Sequence, residues 1–272
     1  GMCNGAAHTG MRPILVHSRV EFGVFGFDQL VTQAAKWNYM FGGNSPLPLV
    51  VRMSVGRRWG DGPQHTQVLH SVFGHIPGLK VVIPSTPSAA KGLMIASIED
   101  NNPVVFLEHR WLYDLKETVP EEYYSIPLDK CNVIREGKDV TIVANSDTLI
   151  EAMRCAEALT AKNINPEIID LVSANPIDYD TIIASVKKTG RLMVLDVGTK
   201  SCGIGSEIIS RVVEEAMSDL VCPPLNIAAP DVPCPTSPSL TEQYYPTAET
   251  IVSALGDMFG VNVEYEGTTD FR

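Results

Sequence analysis

Short, continuously apolar and β-branched runs alternate along this chain with stretches whose apolar positions recur at helical spacing. In the first half the runs fall at 12–18, 48–55, 79–85 and 103–109. Their unbroken apolar character predicts strands buried on both faces, as in a parallel sheet. Between the first two, Phe27, Leu30, Val31, Ala34 and Ala35 keep helical spacing and predict a helix over 25–40. Ser88, preceded by Pro87, is a cap for a second helix over 88–98. The second half repeats the alternation, with strands at 140–145, 167–172, 191–197 and 225–229. Helices are predicted at 149–162, 179–189, 205–218 and, beyond a proline-rich passage, 247–259. Strand–helix alternation of this kind predicts an α/β fold with mainly parallel sheets. Residues 110–138 are rich in charge and turn formers, including Pro120, Pro127 and Gly137. The expected division is a first domain over 1–110, a linker over 111–137, a second domain over 138–260 and a tail over 261–272.

A length of 272 residues accommodates two such domains, each with its own core. The formal net charge of -11 argues against nucleic acid or an anionic membrane as partner, since both favour a basic face. No apolar run reaches the roughly 18 residues of a membrane span, and no basic segment leads into an apolar one near the N-terminus, as a secretion signal requires. The six cysteines are scattered without a C-x-x-C pair, which fits reduced thiols in a cytoplasmic protein.

Candidate chemistry concentrates at Gln64-His65-Thr66-Gln67, in a turn-rich loop directly after the 48–55 strand. Loops at the carboxyl ends of parallel strands carry function, and an imidazole there moves protons near neutral pH. The other histidines, His8, His17, His70, His75 and His109, read as core or surface residues. Arg57 and Arg58 open the same loop. They read either as solvated loop arginines or as a fork for an anionic substrate group. Gly203-Ile204-Gly205 follows a strand and opens a helix, as a dinucleotide-binding turn does, but Ile208 stands where a third glycine belongs. Helix entry is the better explanation.

The ordered residues resemble a known family over nearly the whole chain: the beta subunit of the thiamine-diphosphate-dependent first component of 2-oxo acid dehydrogenase complexes, within the transketolase-like enzymes. The matching stretches begin with Gly5-Ala-Ala-His-Thr-Gly-Met-Arg-Pro-Ile14 and Phe27-Asp-Gln-Leu-Val-Thr-Gln-Ala-Ala-Lys36. They continue through Gln64–Gln67, His75-Ile-Pro-Gly-Leu-Lys-Val-Val82 and Asp100-Asn-Asn-Pro-Val104. In the second half, Asp139-Val-Thr-Ile-Val-Ala144, Ser185-Val-Lys-Lys-Thr-Gly-Arg-Leu192 and Asp231-Val-Pro-Cys-Pro235 fit as well.

The resemblance implies a pyrimidine-binding domain, here truncated, followed by a transketolase C-terminal-like domain. It implies thiamine diphosphate at a subunit interface, with the diphosphate and Mg²⁺ held by an alpha-like partner. It also implies a homodimer of this chain and a lipoyl acyltransferase core as further partners. By position, His65 is the active-site histidine that assists acyl transfer, Phe22 packs against the aminopyrimidine, and Phe25 lies in a nearby pocket position. A monovalent cation, K⁺, is implied at Leu49, Ser97, Ile98, Asp100 and Asn102, where hard oxygen donors gather at a helix end.

Two departures from the family accompany these expectations. The family's glutamate that bonds the aminopyrimidine would precede Gly1. The loop 56–62 carries two arginines and a tryptophan. Gly60-Asp61-Gly62 followed by Asn101-Asn102 resembles the diphosphate motif of thiamine enzymes, but the interval is too long and the order wrong. The functional expectation is a beta-like subunit that, with an alpha-like partner, decarboxylates a 2-oxo acid and passes on the acyl unit. The alternative is a non-catalytic assembly subunit that keeps the fold.

Overall fold

A computed structural model describes residues 1–57 and 60–267. The chain forms two compact units, one of 1–129 with 172–176 and one of 130–171 with 177–272. Among the described residues, each unit is built on a five-stranded sheet in which four strands run parallel and one edge strand runs antiparallel.

In the first unit the strands are β1 (Ile14–His17), β2 (Val50–Val55), β3 (Lys80–Val82) and β4 (Val104–His109), ordered β1-β2-β4-β3. Burial on both faces explains the unbroken apolar text of β2 and β4. Parallel pairing sets Ile14 opposite Val50, Val50 opposite Val104 and Val55 opposite His109. The carboxyl ends of β1, β2 and β4 therefore lie side by side at one edge of the sheet. The helices introduced here are α1 (Met2–His8), α2 (Val20–Gly23), α3 (Ala35–Met40), α4 (His70–Gly74) and α5 (Pro87–Glu99). Thr86 caps α5 by accepting from the Ala89 N–H, with Pro87 in the first turn where its missing N–H costs nothing. Leu93 of α5 joins Val50, Val82, Val104 and Phe106 in one core cluster.

The expected helix over 25–40 is assembled from three forms: a 3₁₀ turn at Val24–Gly26, a π-helix at Asp28–Ala34, and α3. Apolar spacing marks which face is buried but does not separate a wide turn from a regular one. The expected linker 111–137 also resolves differently. Arg110–Asp114 is a 3₁₀ helix, and the segment after it lies along α5 as part of the first unit. The Ile126 N–H donates to the Gly92 carbonyl at 3.2 Å and the Tyr124 hydroxyl to the Ser88 carbonyl at 2.8 Å. Lys91 Nζ donates to the carbonyls of Glu121 at 3.1 Å and Glu122 at 2.9 Å, and to that of Pro120. A Cβ at Gly92 would stand 2.6 Å from Ile126, so this close approach needs glycine.

The second unit begins at Lys130 and contains β5 (Asn132–Arg135), β6 (Val140–Ala144) and β7 (Pro166–Asp170). Next comes β8 (Ser173–Asn175), which belongs instead to the first sheet, antiparallel to β3. β9 (Leu192–Thr199) and β10 (Leu225–Ala229) complete the second sheet in the order β10-β9-β6-β7-β5. Its helices are α6 (Asp147–Ala161), α7 (Tyr179–Thr189), α8 (Ile204–Ala216), α9 (Pro238–Thr241) and α10 (Ala248–Phe259). Leu149 and Leu159 of α6 and Ile251 and Leu255 of α10 close over Ile142 and Ile168. The first part of the expected tail is docked: Val263 belongs to that core cluster and Tyr265 packs against it. No helix among the described residues is long and apolar enough to cross a membrane.

Asp178 begins α7 and anchors what precedes it. Its side chain accepts from the Thr181 N–H at 3.3 Å, the Thr181 hydroxyl at 2.7 Å and the Cys131 N–H at 3.2 Å. Burial alone would raise its pKa, but these donors, with Lys130, hold it below the usual carboxylate range. A depressed carboxylate adds stability above its unfolded pKa and loses it as pH falls through the folded value. Asp178→Ala is therefore expected to cost about 1–2 kcal/mol near neutrality and to flatten the acid limb of the stability–pH curve. Urea denaturation from neutral to acidic pH checks this; an unchanged acid limb contradicts the role given to Asp178.

Candidate active-site face around His65

Three adjacent parallel strands deliver the groups of this face. β1 leads through Arg19 into α2, which carries Glu21 and Phe22. β2 leads into the loop 56–67, which carries His65. β4 ends at His109 and hands over to Arg110. Ligand sites of open α/β sheets form outside the carboxyl ends of such strands.

The loop is closed at its neck and turns on glycines. The Gly56 N–H donates to the Gln67 carbonyl at 3.2 Å. Gly56 has φ +74°, and a Cβ there would stand 1.8 Å from His109 Nε2, so backbone conformation and space both require glycine. Inside the loop, the His65 N–H donates to the Gly62 carbonyl at 3.3 Å and the Thr66 hydroxyl donates to the same oxygen at 2.7 Å. Glu21 receives the Gln67 N–H at 2.8 Å, which ties the loop to the helix that bears Phe22.

His65 is half-buried and its ring centroid lies 5.8 Å from that of Phe22, the planes tilted by 58°. The Phe22 side of this pair is 41% exposed, an open aromatic face beside an imidazole. Phe25 stands apart from the pair at 93% exposure. The Arg57 guanidinium lies 4.4 Å above the Trp111 ring, a cation–π contact that gives this arginine a local role. Arg58 lies outside the described residues.

Asp61 is enclosed by two guanidiniums, Arg110 at 2.5 Å and Arg19 at 2.9 Å. Burial would raise its pKa, yet Arg110 and Arg19 hold it below the usual carboxylate range. Its occupied carboxylate fits the reading of Gly60-Asp61-Gly62 as no diphosphate motif. Sequence reasoning missed Arg19, Glu21 and Arg110. Their only signal was a charged residue just past the carboxyl end of a strand.

Of the five residues expected around a monovalent cation, Ser97 and Ile98 lie in the last turn of α5, Asp100 and Asn102 lie between α5 and β4, and Leu49 directly precedes β2. The Val104 N–H donates to the Leu49 carbonyl at 2.8 Å, and the Asn102 N–H donates to Asp100 Oδ1 at 2.8 Å. Two side-chain cations already sit there. Arg12 donates to the carbonyls of Ile98 and Asp100, both at 2.9 Å, and of Glu99 at 3.2 Å, and Lys80 pairs with the Asp100 carboxylate. The carbonyls of Leu49, Ile98 and Asp100 keep a second lone pair each. Among the described residues, no cluster of three or more histidine, cysteine or acidic side chains forms a metal site. In the second unit, Asp196 Oδ2 accepts from the Gly205 N–H at 3.4 Å and would stand 2.8 Å from a Cβ on Gly203. A carboxylate thus occupies the start of α8, where a dinucleotide diphosphate would need a free helix N-terminus.

Residues 1–116 match the transketolase pyrimidine-binding domain and residues 129–251 the transketolase C-terminal domain. The beta subunit of acetoin:2,6-dichlorophenolindophenol oxidoreductase from Cupriavidus necator is 43% identical, covering 93% of this chain and 75% of its own length. The pyruvate dehydrogenase E1 component subunit beta of Porphyra purpurea is 41% identical, covering 94% and 77%. A solved split-gene transketolase, described as an inactive beta4 tetramer, superposes with a TM-score of 0.76 at 22% identity over 96% of this chain and 80% of its own. It supports the fold alone.

Because Gly56 cannot take a side chain without displacing His109, Gly56→Ala is expected to lower stability by at least ~2 kcal/mol through strain and overpacking. Calorimetric melting checks this, and an unchanged melting temperature would show the neck to be pliable.

Proposed function

This chain belongs to the transketolase-like family, among the beta subunits of the thiamine-diphosphate-dependent first component of 2-oxo acid dehydrogenases, and on that premise we propose that with an alpha-like partner it decarboxylates a 2-oxo acid and passes on the acyl unit. The observation that carries the reading is the Phe22–His65 pair at the carboxyl ends of adjacent parallel strands, with ring centroids 5.8 Å apart. An exposed aromatic face next to a proton-transferring imidazole suits a flat heteroaromatic ligand whose reacting end lies near His65.

Thiamine diphosphate, when bound, supplies the electron sink for breaking the bond between the keto carbon and the carboxylate. The chain's own contribution is to offer Phe22 as a stacking surface and to hold the His65 imidazole where a proton must move during acyl transfer. Phe25, exposed at 93%, is assigned to the partner-facing side of the cofactor pocket rather than to direct contact with His65. Arg57 and Arg58 are assigned to the approach of an anionic substrate; for Arg57 this requires exchange of its contact with Trp111. With Asp61 taken up by Arg19 and Arg110, the diphosphate and its Mg²⁺ fall to the alpha-like subunit. A homodimer of this chain, a lipoyl acyltransferase core as acceptor and a cytoplasmic setting complete the proposal.

His65→Ala is expected to abolish acyl transfer in the complex with the alpha-like partner while leaving thermal melting unchanged, and retained turnover would remove the role given to the imidazole. Calorimetry with thiamine diphosphate and Mg²⁺ is expected to show binding only when the alpha-like subunit is present. Absence of binding with and without it favours a non-catalytic assembly subunit.

The cation set belongs to the same proposal: K⁺ would take the lone pairs that Arg12 leaves on the carbonyls of Ile98 and Asp100. Melting in potassium chloride is expected to exceed melting in tetramethylammonium chloride at equal ionic strength. Equal melting temperatures would leave Arg12 and Lys80 as the cations that close the end of α5.

A further inference from the structure

The loop that carries His65 is organised around a guanidinium. Arg110 is 4% exposed, and its two terminal nitrogens reach three separate points of the loop. Nη2 donates to the Gly56 carbonyl at 2.5 Å and to the His65 carbonyl at 2.8 Å, while Nη1 donates to Asp61 at 2.5 Å. Arg19 reinforces the same points from the β1 side, donating to the His65 carbonyl at 3.0 Å and pairing with Asp61 at 2.9 Å.

The backbone itself gives little stiffness, because Gly56, Gly60 and Gly62 all have positive φ, at +74°, +69° and +68°. A glycine-rich loop must gain its order from what it wraps. Here that is a planar fork whose donors are fixed relative to one another, a geometry that lysine does not reproduce. The carbonyl of His65 accepts from both guanidiniums, so both of its lone pairs are used. Fixing that carbonyl fixes the direction in which the His65 side chain leaves the backbone, and hence its place beside Phe22.

We propose that Arg110, seconded by Arg19 and Asp61, is the positioning device that holds the His65 imidazole at its reactive place. Arg110 is a positioning residue: it reaches the loop backbone, and its effect on chemistry passes through His65. The inference rests on the reading of His65 as the acyl-transfer histidine, but its structural half is testable without that reading.

In the full chain alone, Arg110→Lys is expected to fold, because it keeps the buried positive charge beside Asp61. It is expected to speed hydrogen exchange of the described amides between Gly60 and Gln67 by at least about tenfold, with the strands Val50–Val55 and Val104–His109 unaffected. Diethyl pyrocarbonate modification of His65 should change rate in step with exchange. In the complex with the alpha-like partner, a misplaced imidazole is expected to lower kcat by about 10²-fold while KM for the 2-oxo acid stays within about twofold. Arg110→Gly supplemented with guanidinium ion at millimolar concentration is expected to recover kcat, and added ammonium ion is not.

Unchanged exchange in Arg110→Lys, or an equal rise throughout the first unit, overturns the proposal. So does a loss confined to KM. Asp61→Asn gives an independent readout of the same clamp if Arg110→Gly does not fold, and its loop must then also exchange faster. His65→Ala separates the two readings. If that variant keeps turnover, the assignment of His65 fails. If it is inactive while Arg110→Lys keeps full kcat, the positioning role alone fails.

Discussion

The parallel pairing of β1, β2 and β4 is the constraint from which the rest of this face follows. With Val50 opposite both Ile14 and Val104, the three strands run in step. Whatever the chain places just beyond their ends then meets in space, although it is separated by more than forty residues in sequence at each step. Phe22, His65 and Arg110 are those residues. Through β2 and β4 the sheet buries apolar side chains on both faces, Val51, Met53, Val105 and Leu107 on one and Val50, Val104 and Phe106 on the other, while Ile14 and Val16 of β1 are exposed. A core closed through β2 and β4 allows the exit loops to carry glycine, charge and exposed aromatic surface without endangering it.

Electrostatics around the platform is local and paired. Asp61 lies between Arg19 and Arg110, Glu108 pairs with Arg52 at 2.7 Å, and Lys80 with Asp100. The net charge of -11 therefore says little about the immediate setting of His65, where guanidiniums predominate. A charged group near a carboxyl end of this sheet serves the loop as much as any ligand, because glycine-rich backbone has few other means of being held. Arg12 does the same at the opposite end of the sheet, drawing together the last carbonyls of α5 that the helix leaves without partners.

Much of this is legible in the amino-acid sequence. Continuous β-branched text identifies the central strands, whereas the cap expected at Ser88 lies at Thr86, because its hydroxyl is the one that reaches the Ala89 N–H. The loop position of His65 singled it out among six histidines, and the core placement of His70 and His109 agrees with their plain reading. What stayed hidden depends on distant partners. Nothing in the spacing links Arg110 to Gly56 or Asp61, since their meeting requires the strand order. The segment after Tyr113 has the composition of a linker, and its order comes from Lys91 and Gly92 on another element. Ser173-Ala174-Asn175 lacks every usual mark of a strand and becomes one because β3 presents an unpaired edge to it.

That last strand has a temporal consequence. As the polypeptide leaves the ribosome, residues 1–129 emerge with nearly all of the first sheet, yet the edge of β3 stays open until Ser173–Asn175 has been made. For the interval in which some forty further residues are added, the nascent protein exposes a row of unsatisfied peptide groups beside Val81 and Val82. Birth order and assembly order are thus out of step, and the first sheet waits on residues made later for its closure.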